Sequence, residues 1–181
     1  MAKTAAQRRD DAPPPRVVVI TDERDPDGPA GRRLLPSPLE LEELIRRIPR
    51  GRVLRLAEAR ATLAIKFRAD YACAKSVHSA LLLVAEAARE ERGRAGPPTP
   101  YWRVVNDDGS LVRALPDGEA HLAAKLEEDG VALFRLGRGV VVAHLEGCAW
   151  RPPPPRRRGA PTDGVASAKP KGGPGAPNRR R

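Results

Sequence analysis

With 181 residues, 40% of them hydrophobic but only 3% aromatic, and with 20 Pro and 16 Gly, the chain can build one modest core with breaker-rich ends. No apolar run is long enough to span a bilayer and Met1 to Arg9 lack the apolar stretch of a signal peptide, so a cytoplasmic protein is expected. The net charge of +10 is unevenly placed: residues 151–181 carry +8, while 1–33 and 34–150 each carry +1. Any attraction to polyanions is therefore expected mainly from the C-terminal segment.

Residues 1–33 are polar and charged, with Pro13-Pro14-Pro15 and Asp25-Pro26-Asp27-Gly28-Pro29. The segment is expected to be mostly disordered, with the alternative that Val17–Ile20 docks on a sheet edge. A domain is expected from Leu34 to Trp150. Ser37-Pro38-Leu39-Glu40 has the pattern of a capping box with Pro at the first helical position, followed by Leu41, Leu44, Ile45 and Ile48 at helical spacing. A second helix is predicted from Leu56 to Phe67, with Leu56, Ala59, Leu63 and Phe67 inward. The third and longest runs from about Ala72 to Arg92. Ala74, Val77, Leu81, Val84, Ala85 and Ala88 form its apolar stripe, and its charged second half from Glu86 is expected to be solvated.

Pro100 to Val105 reads as a strand entering the turn Asn106-Asp107-Asp108-Gly109. A fourth helix is predicted from Glu119 to Asp129, with Ala120, Leu122, Ala123 and Leu126 inward and Gly130 as its stop. Val131–Leu136 and Val140–Leu145, joined by Gly137-Arg138-Gly139, predict a hairpin. From Arg151 the composition falls to Pro, Arg, Gly, Ala and Lys, and a disordered basic tail is expected over 151–181. The fold class is thus α+β: a small winged-helix or helix-turn-helix-like domain, 34–150, with a short β element and two disordered flanks.

Pro100-Tyr101-Trp102-Arg103-Val104, with Lys75-Ser76-Val77-His78-Ser79 upstream and the helix ending Asp129-Gly130 downstream, resembles the DNA-binding domain of the alkylguanine-DNA alkyltransferases. The resemblance is closer to their alkyltransferase-like relatives, which lack the reactive cysteine, and it covers roughly Leu34 to Val131. In the enzymes the stretch reads Pro-Cys-His-Arg-Val. The resemblance puts Tyr101 at the Cys position, Trp102 at the His position and Asp129 at the position of the Glu that backs the proton relay. A phenol is a poor nucleophile at neutral pH and an indole cannot relay a proton. No alkyl transfer is expected, and the catalytic residues are none. The family's nucleotide-rotating Tyr corresponds to Leu56 and its intercalating Arg to Lys75, while its Asn hinge has no counterpart, which weakens the case for base flipping.

What the resemblance implies is non-enzymatic binding of duplex DNA, with a link to DNA repair. Lys75, Ser76, His78, Ser79 and Arg103 are the candidate DNA contacts. Tyr101 and Trp102 are candidate walls of a base pocket, and Arg156, Arg157, Arg158, Arg179, Arg180 and Arg181 are candidate phosphate contacts. Each has a plainer alternative: aromatics in the core, an Arg that pins a loop, a solvated helix face, a solubilising tail. The rival function is a degenerate domain that binds a protein or RNA. Cys73 and Cys148 suggest neither a disulfide framework nor a metal site, and Cys73 with His78 is too few ligands for zinc. No cofactor is expected.

Overall fold

The computed structural model describes residues 2–22, 28–93, 96–137 and 139–153. Helices and short strands alternate irregularly along the chain, an α+β arrangement. In order they are α1 (Ala5–Asp10), β1 (Arg16–Ile20), β2 (Gly31–Leu35), α2 (Pro38–Arg46), β3 (Leu54–Arg55), α3 (Leu56–Lys66), β4 (Tyr71–Ala72) and α4 (Ala74–Glu90). A single 3-10 turn (Tyr101–Arg103), β5 (Val104–Val105), α5 (Gly118–Glu128), β6 (Leu133–Leu136), β7 (Gly139–Val142) and α6 (Leu145–Cys148) follow. The strands form three small sheets. β1 pairs antiparallel with β2, which pairs parallel with β4; β3 pairs parallel with β5; β6 and β7 make the expected hairpin.

The main core gathers Leu41, Leu44 and Ile45 of α2, Leu63 of α3, the Val77–Leu81–Val84 stripe of α4, and Leu122 and Leu126 of α5. Each fully buried Leu or Val contributes about 1.5–3 kcal/mol of transfer free energy. The helix-turn-helix order expected from the sequence is present as α3, residues 67–73 and α4. The chain's last described turn closes onto the start of β3: the Val53 amide donates to the Cys148 carbonyl (3.0 Å) and the Trp150 amide to the Val53 carbonyl (2.7 Å). No helix among the described residues is long and apolar enough to cross a membrane.

Four expectations are corrected. First, residues 1–33, expected to be mostly disordered, carry α1 and β1. Thr4 and Gln7 form a capping box, and Glu90 of α4 accepts hydrogen bonds from the Ala5 and Ala6 amides (2.9 and 3.0 Å). Second, the charged end of α4 is therefore not merely solvated. Ala87 is buried beneath Ala5 and Ala6, and Glu86 and Glu91 bind Arg8 and Arg9 (2.8 and 2.9 Å). Third, no Ser37 side-chain cap forms, and the buried Ser37 leaves Pro38 alone to start α2. Fourth, the Pro100–Val105 strand is a strand only at Val104–Val105. Tyr101–Arg103 coil into a 3-10 turn, because side-chain partners just past α4 and at the two ends of α5 outweigh the local preference for extended backbone.

Candidate nucleic-acid interface

Gly130 decides where the acidic end of α5 points. It takes a left-handed conformation (φ 87°), its amide bonds to the Glu127 carbonyl and the Val131 amide to the Leu126 carbonyl (both 2.9 Å). This is a Schellman stop, and it leaves Asp129 as the C-cap beside the 3-10 turn. The Asp129 carboxylate, 7% exposed, accepts from Trp102 Nε1 (2.9 Å), from Arg103 Nε and Nη2 (2.6 and 2.9 Å) and from Arg50 Nε (3.1 Å). Burial alone would raise its pKa; the hydrogen bonds from Arg103 and Trp102 and the charges of Arg103 and Arg50 outweigh it, so the group is held below the usual carboxylate range. The third corner of the Arg103 fork donates to the Ile48 carbonyl (2.7 Å), joining the turn to the end of α2.

Tyr101 is 1% exposed and stacks edge-on against Trp102, ring centroids 5.5 Å apart. Its hydroxyl donates to Asp117 (3.0 Å) and accepts from Arg92 (2.7 Å). Desolvation, and then the carboxylate of Asp117, outweigh Arg92 and push the phenol's pKa up, away from the phenolate a nucleophile would need. Asp117 is a non-glycine residue with φ of 71°, a costly conformation that its ion pair with Arg92 and its contact with Tyr101 help hold. Tyr101 and Trp102, candidate pocket walls by the resemblance, are engaged by Asp117, Arg92 and Asp129. Arg103 has its guanidinium turned inward, onto Asp129 and Ile48.

A groove of about 800 Å³ lies at the N-terminal ends of α3 and α4. Lys75, His78 and Ser79 line it, together with Leu56, Arg60, Ala74 and Val77; Ser76, on the same helix, does not. The opposite wall is the Asn106–Ser110 turn. That turn is cross-braced: the Asn106 amide donates to the Ser110 carbonyl (2.9 Å), and the Ser110 amide and hydroxyl donate to Asp108 (2.9 and 2.6 Å). The Ser110 bonds hold the Asp108 carboxyl below its ordinary pKa. Asp107 reaches across to α3, where it accepts from the Ala57 amide (2.6 Å) and from Arg60 (3.3 Å). It thereby caps a helix whose own N-cap, Arg55, offers no acceptor side chain. At the start of α4 the N-cap is Cys73, which makes no side-chain cap of its own, and Lys75 stands in the first turn of the helix, at its positive end.

Arg60, Asn106, Asp107 and Asp108 are groove residues that the sequence reading did not single out. Asp107-Asp108-Gly109 was legible as turn chemistry, but the reach of Asp107 to Ala57 spans fifty positions and has no local signal. Arg156, Arg157, Arg158, Arg179, Arg180 and Arg181 lie outside the described residues. Among the described residues no group of three or more His, Cys, Asp and Glu could hold a metal ion. Cys73 is buried, and burial pushes the half-buried Cys148 thiol up.

No family model matches the chain, and no curated protein matches it. Solved structures similar to it include S. pombe Atl1 in complex with damaged DNA containing O6-carboxymethylguanine. That chain is 22% identical over 64% of this chain and 94% of its own, with a TM-score of 0.47. They also include S. pombe ATL in complex with DNA, 21% identical over the same shares, with a TM-score of 0.46.

Proposed function

We propose that this protein binds duplex DNA without chemistry, using the groove at the start of α4, with the basic tail adding sequence-independent attraction. The observation that carries the reading is the groove's composition. It gathers Lys75, His78, Ser79 and Arg60 at the N-terminal end of α4, beside a braced turn. Cations and oriented amides are the groups that meet phosphate oxygens, and Ser79 supplies a neutral donor. The inward-facing Tyr101, Trp102 and Arg103 then act as a brace for the domain rather than as a base pocket, and a repair link is part of the same proposal through the sequence resemblance. Among the described residues Arg9, Arg55, Lys66 and Arg103, outside the groove, face carboxylates, as Arg60 does within it. The tail, with its charge of +8, supplies long-range attraction that the near-neutral domain lacks.

Fluorescence anisotropy on the full chain tests this. Lys75→Glu should weaken duplex binding by about 1–3 kcal/mol. Arg47→Glu, an equal charge change outside the groove, should cost clearly less. Equal losses would mean that only net charge is sensed, and the groove assignment would fall. A second reading, an interaction module for a protein, is favoured by Phe134 and Leu136, which are 54% and 63% exposed on β6. Absence of any duplex affinity with the tail present would turn the assignment to it.

A further inference from the structure

β1 is an edge strand. In the sheet order β1-β2-β4, one side of β1 faces β2, and among the described residues the other has no strand beside it. Which groups face outward follows from β2. The Arg32 carbonyl accepts from the Asp70 amide (2.8 Å), the Arg32 amide donates to the Asp70 carboxylate (2.7 Å), and the Leu34 carbonyl accepts from the Cys73 amide (2.9 Å). Arg32 and Leu34 thus turn their backbone toward β4, so Gly31, Arg33 and Leu35 turn theirs toward β1. Their partners in the register are Ile20, Val18 and Arg16. The backbone amides and carbonyls of the alternate residues, Val17 and Val19, therefore point away from the sheet. Among the described residues no hydrogen bond reaches those amides.

The side chains on this edge are apolar and β-branched. Val17 packs against the core, whereas Val19, on the same face two residues on, is 71% exposed. Residues 16–20 read Arg-Val-Val-Val-Ile, with none of the Lys or Pro guards inside the strand that usually blunt an exposed edge. The strand is also self-complementary. Antiparallel pairing of two copies about a two-fold axis through Val18 sets Val17 of each opposite Val19 of the other, as hydrogen-bonded pairs. All four outward amides and all four outward carbonyls of the two Val pairs are then satisfied. Each exposed Val19 is covered by a Val17 already anchored in a core, and Arg16 stands opposite Ile20 instead of another cation.

We propose that a second copy of this chain pairs on the outer edge of β1, joining two three-stranded sheets into one. The dimer is isologous, as a two-fold interface requires. It stands apart from the DNA-binding reading, since no groove residue takes part in it.

Sedimentation of the full chain over a concentration series tests the pairing. The wild-type mass should rise toward twice that of one chain. Val19→Pro removes only an outward amide, and Val19→Lys places a charge on the edge; both should stay monomeric with the wild-type circular dichroism. Val18→Cys provides the register. The two Val18 residues face each other as a non-hydrogen-bonded pair, with Cα atoms about 4.5 Å apart, within disulfide range. Diamide treatment should therefore link Val18→Cys chains while leaving the wild type unlinked. A wild-type chain that stays monomeric throughout overturns the proposal. So does a dimer that survives Val19→Lys, or a Val18→Cys chain that dimerises without linking. If Val19→Pro unfolds, Val19→Lys and the cross-link decide the matter.

Discussion

Replacing Asp129 by Ala is the sharpest test of the brace that stands where the resemblance would put a proton relay. The carboxylate is 7% exposed and its main partner, Arg103, 12% exposed, so removing the first leaves a desolvated guanidinium with the Ile48 carbonyl as its remaining hydrogen-bond acceptor. Breaking a buried pair on one side costs about 3–5 kcal/mol. The Trp102 N–H loses its acceptor in the same step. At about 2–4 °C per kcal/mol for a chain of this size, Tm should fall by about 6–20 °C. Arg50, bound to the same carboxylate but 73% exposed, provides the scale: Arg50→Ala should cost about 0–1 kcal/mol. The double change Asp129→Leu with Arg103→Met should recover much of the loss, since it removes both charges. The pH dependence has a definite sign. The folded pKa of Asp129 lies below the ordinary value of an aspartate, so its stabilisation is complete above that ordinary value and fades as pH falls through the folded pKa. Asp129→Ala should flatten the acid limb of the stability curve below about pH 4. Thermal and urea denaturation between pH 2 and 7 measure all of this. If Asp129→Ala costs no more than Arg50→Ala, the inward clamp is not what holds the turn, and the structural role given to Arg103 is wrong.

Three other outcomes are expected. Tyr101→Phe keeps the ring in the core but strips a donor from Asp117 and an acceptor from Arg92, which remain bonded to each other; urea titration should register about 0.5–1.5 kcal/mol. Glu90→Gln weakens the cap on α1 by removing a charge at a helix N-terminus, so Ala5 and Ala6 amides should exchange faster, while protection of the Val77–Val84 stripe stays unchanged. Intact-mass spectrometry after incubation with a methylguanine-containing duplex should find no added methyl: Cys73 is buried, Cys148 has a raised pKa, and Tyr101 is locked. A stoichiometric methyl on either cysteine would undo the non-enzymatic reading.

Truncation after Pro153, which keeps the Arg151 contacts with Glu58 and Glu146, separates tail from domain. Loss of the tail should flatten the salt dependence of duplex binding by about 0.9 for each phosphate it neutralises, and should weaken all duplex sequences alike. An unchanged slope would place the binding charge in the folded part.

Local signals carried much of the architecture. Helical spacing of Leu41, Leu44 and Ile45, the apolar stripe of α4, the Gly130 stop and the glycine-flanked hairpin all depend on neighbours within one or two turns, and such contacts are written in consecutive residues. Position along the chain also put Lys75, His78 and Ser79 on one helix beginning, where the groove is found. Tertiary structure decided the rest, wherever an element's partner is distant in sequence. α1 has six residues, too few to persist alone, and it forms on the carboxylates of α4 some eighty positions away. The aromatic and β-branched run from Tyr101 favours a strand by propensity. Buried hydrogen bonds to Asp117, Arg92 and Asp129 coil its first half, since leaving those groups unpaired in the interior costs more than the small difference between extended and 3-10 backbone. Arg103 had the same composition-level reading whether it faced solvent or the core; only the placement of Asp129 by the Gly130 stop turned it inward.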